Sequence, residues 1–291
     1  MTELMQLAAT AIALGACYAL IALGFVLVLN ATNAVNFAQG ELVVAGGFVA
    51  IALAPHLELP GIALLPITMV GGALIGLALS LVAYFPIRRR PPTAVFISTI
   101  AAGMVLQNAV LRRFGPEPAS APPLLDLEPI ALGPITVGMQ SLAMIAAAAL
   151  LILGLHLLLA RTQLGRRLRA TAQDPEIAGA LGIPVVPLIA ASFALSAALA
   201  GAAGLLVANQ FFLTPLDGAN YMLKAYIAVV IGGWGRIGGA VLGAMVIALF
   251  ESFVAAMVSQ LAAEALLYLA LLAILWLRPQ GILGEAAGRR A

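Results

Sequence analysis

LMQLAATAIALGACYALIALGFVLVL, Leu4 to Leu29, carries no charged residue. A helix needs roughly 20 consecutive, mostly apolar residues to cross a bilayer, so this stretch is long enough to do so unaided. It also exceeds the apolar core of a secretory signal, which is about 7–15 residues, and Met1-Thr2-Glu3 lacks the positive region that precedes such a core. The first span is therefore expected to stay in the mature protein. Eight further apolar stretches follow, at about 37–54, 62–87, 94–111, 139–160, 185–208, 222–233, 238–258 and 261–277. Hydrophobic residues make up 63% of the 291-residue chain and charged residues 9%, against about 25% charged in a soluble domain; the mean hydropathy is +1.11. So few charges cannot cover a water-facing surface of ordinary size. The expected fold is all-α, a polytopic transmembrane helical bundle of eight or nine spans forming one domain over residues 1–291.

Two stretches are ambiguous. The 37–54 run follows an Asn-rich turn and contains Gly46-Gly47, and the 222–233 run is too short to span unless it continues through GGWGRIGG. Broken or re-entrant helices fit both, because irregular backbone is tolerated at membrane depth where protein or a watery path satisfies it.

Arginine placement orients the bundle, since cytoplasmic loops hold the excess of positive charge. Arg88, Arg89 and Arg90 mark one such loop, Arg161, Arg166, Arg167 and Arg169 a second, and Arg278, Arg289 and Arg290 the tail. The proline-rich 112–138 segment sets Glu117, Asp126 and Glu128 against Arg112 and Arg113 and reads as external. A start outside and an end inside require an odd number of crossings, which nine spans satisfy. Eight spans require an internal amino terminus or a re-entrant segment. Small-residue patterns, Gly71-Gly72 with Gly76 and Gly201 with Gly204, mark close helix approaches.

The loop from Arg161 to Val185, RTQLGRRLRATAQDPEIAGALGIPV, is the most informative. Leu164 to Ala172 can prolong the preceding helix. Asp174 then suits an N-cap, Pro175 the first helical position, and Glu176 the electropositive first turn, while Gly182 and Pro184 stop the helix. A capped helix displayed on the cytoplasmic face fits a docking element for a partner better than a plain connection.

No energy source is encoded. A phosphate-binding loop needs Gly-Lys-Ser/Thr, yet the one lysine, Lys224, follows Leu223. Ionisable residues inside spans are costly and are functional candidates by default: Glu41, Lys224, Arg236, Glu251 and Glu264, of which Glu251 is the best case for an internal polar pair. Cys17, the single cysteine, excludes an intrachain disulfide. His156 reads as a packed or interfacial residue. No catalytic or metal-binding spacing is present, so neither an enzyme nor a cofactor site is expected.

Three blocks then resemble a known family. GACYALIALGFVLVLNATNAVNFAQGELVVAGGFVA (Gly15–Ala50), GRRLRATAQDPEIAGALGI (Gly165–Ile183) and MLKAYIAVVIGGWGRIGGAVLGA (Met222–Ala244) are similar, in order, to the permeases of branched-chain amino acid ABC transporters of the Liv type. Within the first, NFAQGE (Asn36–Glu41) has Gln39 where the family usually has histidine. The resemblance implies a multi-pass protein of the bacterial inner membrane with a cytoplasmic carboxyl terminus. It implies a second homologous permease, two cytoplasmic ATP-binding subunits and an external solute-binding protein, with membrane lipid around it and no nucleic acid. The loop at 161–187 then couples to the ATPase through Arg166, Arg169, Asp174, Pro175, Glu176 and Gly182. Asn33, Asn36, Gln39, Glu41, Lys224 and Glu251 are candidates to line or gate the solute path, with a helix-breaking turn as the other role for the residues around Asn36. Relatives that handle urea or short amides, and a stand-alone secondary transporter or channel, remain as alternatives.

Overall fold

The computed structural model describes residues 2–57, 60–125, 130–132 and 135–277. The tail arginines Arg278, Arg289 and Arg290 and the loop acids Asp126 and Glu128 lie outside the described residues. Eleven α-helices follow one another: α1 Thr2–Thr32, α2 Gln39–Leu57, α3 Gly61–Leu79, α4 Pro92–Phe114, α5 Met139–Arg161, α6 Gln163–Gln173, α7 Pro175–Ala180, α8 Val185–Gln210, α9 Gly218–Gly232, α10 Ile237–Met257 and α11 Gln260–Leu277. Eight of them, all but α6, α7 and α9, are long and apolar enough to cross a membrane. Helices dominate because lipid offers no partner for peptide groups, so each segment must satisfy its own.

Of the expected eight or nine spans, eight are long enough to cross, and α9, from the stretch that is already short in the sequence, is the exception. At 15 residues it covers only about 22 Å at 1.5 Å per residue, short of the ~30 Å hydrocarbon core. Its glycines end it: Gly233 and Gly235 take φ of 101° and 76°, values in which a side chain is strained. α3 closes in a π-helical turn, Ser80–Tyr84. β structure among the described residues is a small antiparallel hairpin, β1 Ile130–Leu132 with β2 Ile135–Val137, and an isolated bridge of Ala119 to Leu213. The segment before that hairpin ties α3 to α8. Gly61 and Ile62 donate backbone bonds to Pro123 and Leu124, Ala121 donates to the Ala208 carbonyl, and the Asn209 amide donates to the Pro122 carbonyl.

The core is central rather than layered. Of the helices long enough to cross a membrane α1 and α8 are the most enclosed, and α2, α3, α9 and α10 pack around them. Glycine sets the closest of these approaches. A Cβ on Gly46 would strike the Gly201 backbone, one on Gly204 the Val43 carbonyl, and one on Gly72 the Ala197 carbonyl, so α2, α3 and α8 meet backbone to backbone as membrane helices do at small residues. Gly204→Leu should therefore part α2 from α8 and cost at least 1–3 kcal/mol, about the usual range for overpacking. Gly154→Leu, where an added Cβ meets nothing, should leave the thermal unfolding temperature in detergent unchanged. Equal losses in the two variants would remove the packing explanation.

Candidate functional site

Between α1 and α2 the chain leaves helical geometry for six residues. Asn33, exposed, takes a φ of 53°, which asparagine tolerates better than most residues, and so serves the turn. The segment then runs back inside the bundle, where Asn36 and Gln39 are buried. Side chains take up its peptide groups. Thr32 Oγ1 accepts from the Ala34 amide, Asn36 Oδ1 from the Ala38 amide, and Thr99 Oγ1, on α4, from the Phe37 amide at 3.2 Å. The 37–54 stretch is thus a helix that begins inside the protein, as a broken helix does.

Gln39 lies within this arrangement, wholly buried over Gly24 of α1. Its Oε1 accepts from Ser196 Oγ of α8 at 2.8 Å, and its Nε2 donates weakly to the Ile21 carbonyl. It pins α2 between α1 and α8. One residue on, Gly40 abuts the Gly218 carbonyl, and the Glu41 carboxylate occupies the place that a side chain on Gly218 would need. The amino-terminal ends of α2 and α9 therefore meet, and Glu41 lies beside both. Carboxylates are favoured at helix starts because the unpaired amides there carry partial positive charge. Asp217, just before α9, accepts from the Thr214 amide at 2.7 Å. Asn36 Nδ2 and Glu41 Oε2 are buried without a hydrogen-bond partner among the described residues.

α1, α9 and α10 converge on a second centre. Lys224 Nζ donates to Glu251 Oε1 at 2.7 Å and to the Tyr18 hydroxyl at 2.9 Å, while that hydroxyl donates to Glu251 Oε2 at 3.0 Å. Gln260 Nε2, at the start of α11, adds a bond to Glu251 Oε1 at 2.9 Å. A buried charge persists when it is paired and its remaining lone pairs are filled, and Glu251 meets both conditions. The pair forms one wall of a cavity of about 300 Å³ that is also lined by Asp217, Asn220, Tyr221 and Glu264, with Leu14, Val207 and Phe211 as apolar wall. Lys224 and Glu251 are thus brought together, whereas Asn36 and Gln39 belong to the break. Tyr18, Asp217 and Gln260 are additions to the residues selected from sequence. A phenol inside a span needs a hydrogen-bond partner, which is the one signal that could have marked Tyr18.

The basic loop separates into three parts. Thr162, with ψ of 161°, interrupts the helix and caps α6 by accepting from the Gly165 amide at 3.0 Å, so α6 is a new helix rather than a prolongation of α5. Asp174 accepts from the Glu176 and Ile177 amides, each at 2.9 Å, and Pro175 opens α7. Gly182, at φ 80°, ends the turn. α7 exposes Glu176 and Ile177, and Leu181 follows exposed. Arg166 and Arg169 are exposed on α6; Arg169, with His156, lines a groove between α5 and α10.

The family model for "branched-chain amino acid transport system / permease component" matches residues 7–275. The chain is 30% identical to the high-affinity branched-chain amino acid transport system permease protein BraD of Pseudomonas aeruginosa, over 93% of this chain and 92% of that protein. It is 31% identical to LivH of Escherichia coli K12, a permease protein of the same description, over 94% and 93%. A probable branched-chain amino acid transport permease of Methanocaldococcus jannaschii is 30% identical over 81% and 76%. Eight helices long and apolar enough to cross a membrane and a match over almost the whole chain agree: this protein belongs to the permease components of branched-chain amino acid transport systems.

Proposed function

We propose that this chain is one half of the translocation path of an ATP-driven importer for branched-chain or other small amino acids. It works with a second homologous permease, two cytoplasmic ATP-binding subunits and an external solute-binding protein. The arginine-rich loops and the carboxyl terminus face the cytoplasm, and the cavity beside Lys224 and Glu251 faces the binding protein. Glu41, Asn36 and the Lys224–Glu251 pair line or gate the path, and Gln39 holds its broken helix in place. Family membership supports the transport role. The observation that carries the coupling role is α7, a helix capped at both ends, where Ile177 within it and Leu181 just after it are 60% and 76% exposed. A solvent-facing apolar pair at such a short helix gains nothing from this chain's own core and fits a pocket on a partner.

The test is copurification. Changing Asp174 and Glu176 together to lysine removes the N-cap and reverses the charge of the first turn, and should abolish recovery of the ATPase subunits with the permease while membrane insertion persists. Unchanged recovery would overturn the docking role.

A further inference from the structure

α5 and α10 both pack on α1, and between them runs a groove of about 800 Å³ floored by Leu23 of α1. Its walls are Ile152, Leu153 and Leu159 from α5 and Val241 and Leu242 from α10. Along α5 the lining runs from residue 149 to residue 160, roughly 18 Å at 1.5 Å per residue, close to the ~15 Å hydrocarbon depth of one leaflet. One end of this apolar trough is polar. Arg169 reaches it from α6, exposed and without an ion-pair partner among the described residues. The first turn of the 21-residue α10 opens there too. The first amides of a helix have no partner within it, and an added Cβ on Gly238 meets nothing within 4 Å.

We propose that this groove seats an anionic phospholipid of the cytoplasmic leaflet. The acyl chain lies along Leu23, Leu153, Val241 and Leu242. The phosphate lies over Gly238, held by the α10 amides and by Arg169. Charge complementarity selects the occupant: a guanidinium and a helix amino terminus together favour a phosphate with net negative charge, whereas a second copy of an apolar helix would leave Arg169 facing hydrocarbon. The assignment to the cytoplasmic leaflet rests on the orientation proposed above; occupation of the groove does not.

The test uses the purified full chain in nanodiscs containing phosphatidylglycerol or phosphatidylcholine with a photoactivatable acyl chain, followed by peptide mapping. Phosphatidylglycerol should label the α5 and α10 peptides about fivefold more than phosphatidylcholine, the factor that one interfacial basic residue contributes. Arg169→Gln should reduce that preference to parity, and Gly238→Leu should lower labelling by both lipids. Equal labelling of the intact protein by the two lipids would overturn the proposal without needing any variant to fold. So would absence of α5 and α10 labelling together with oxidant-driven crosslinking, in the coexpressed assembly, of Leu153→Cys to a cysteine introduced on the facing surface of the second permease, which would assign the groove to a protein interface. Neither outcome bears on ATPase docking, so the importer reading stands or falls separately.

Discussion

Replacing Lys224 with methionine should destabilise the protein by about 3–5 kcal/mol, the usual cost of removing one partner of a buried ion pair. The size follows from what remains. Lys224 and Glu251 side chains are only 9% and 4% exposed, so without Lys224 the enclosed Glu251 carboxyl is left with the Tyr18 hydroxyl and the Gln260 amide as its donors among the described residues. The double variant Lys224→Met with Glu251→Leu removes both charges, and replacing a whole buried pair by apolar groups is often neutral or stabilising. It should therefore recover most of the lost unfolding temperature in detergent, while uptake by the assembled transporter stays impaired if the pair gates the path. A double variant as unstable as the single one would mean that the loss is packing rather than stranded charge.

Ile177→Ala with Leu181→Ala should weaken ATPase binding by about 30-fold or more, since an interface hot spot contributes 2 kcal/mol or more on truncation. The two residues are four apart, joined by the Leu181 amide bond to the Ile177 carbonyl at 3.0 Å, and so share one side of the turn. Both are exposed in the isolated chain, which makes the double variant a clean one. Its unfolding temperature should be unchanged, and only affinity for the ATPase subunits, read by titration in detergent, should fall. Full affinity would move the docking surface to another part of the α6–α7 face.

The spans were legible because the bilayer imposes a length on apolar runs, and every one of the nine stretches became a helix. The shortest, 222–233, became the helix too short to cross. Its glycines, rather than its hydropathy, carried that information. The capped helix at Asp174 was legible because an N-cap, Pro at the first position and a terminal glycine are local signals. The break before α6 was missed, although Thr162 three residues before Gly165 is also a capping pattern. Glu251 and Lys224 both stood out as charges within spans; that they pair did not, because the pairing depends on how α9 and α10 cross. The contact of Gln39 with Ser196 spans 157 positions, and no local pattern encodes it. Arg169 was legible as a topology marker, while its position on the α5–α10 groove depends on where α6 turns after Thr162.

The glycine contacts of α8 carry a mechanical implication. Only residues 181–184 separate α7 from α8, so α7 is in effect a handle fixed to the end of that rod. Because Gly46 of α2, Gly72 of α3 and Gly204 of α8 itself leave no compressible side chains where these helices meet, a tug on the handle is poorly absorbed as local rearrangement there. Past the Gly182 joint, a displacement of α8 is shared by α2 and α3, and the six-residue stretch ahead of Gln39 is the break in helical structure that lies on that route.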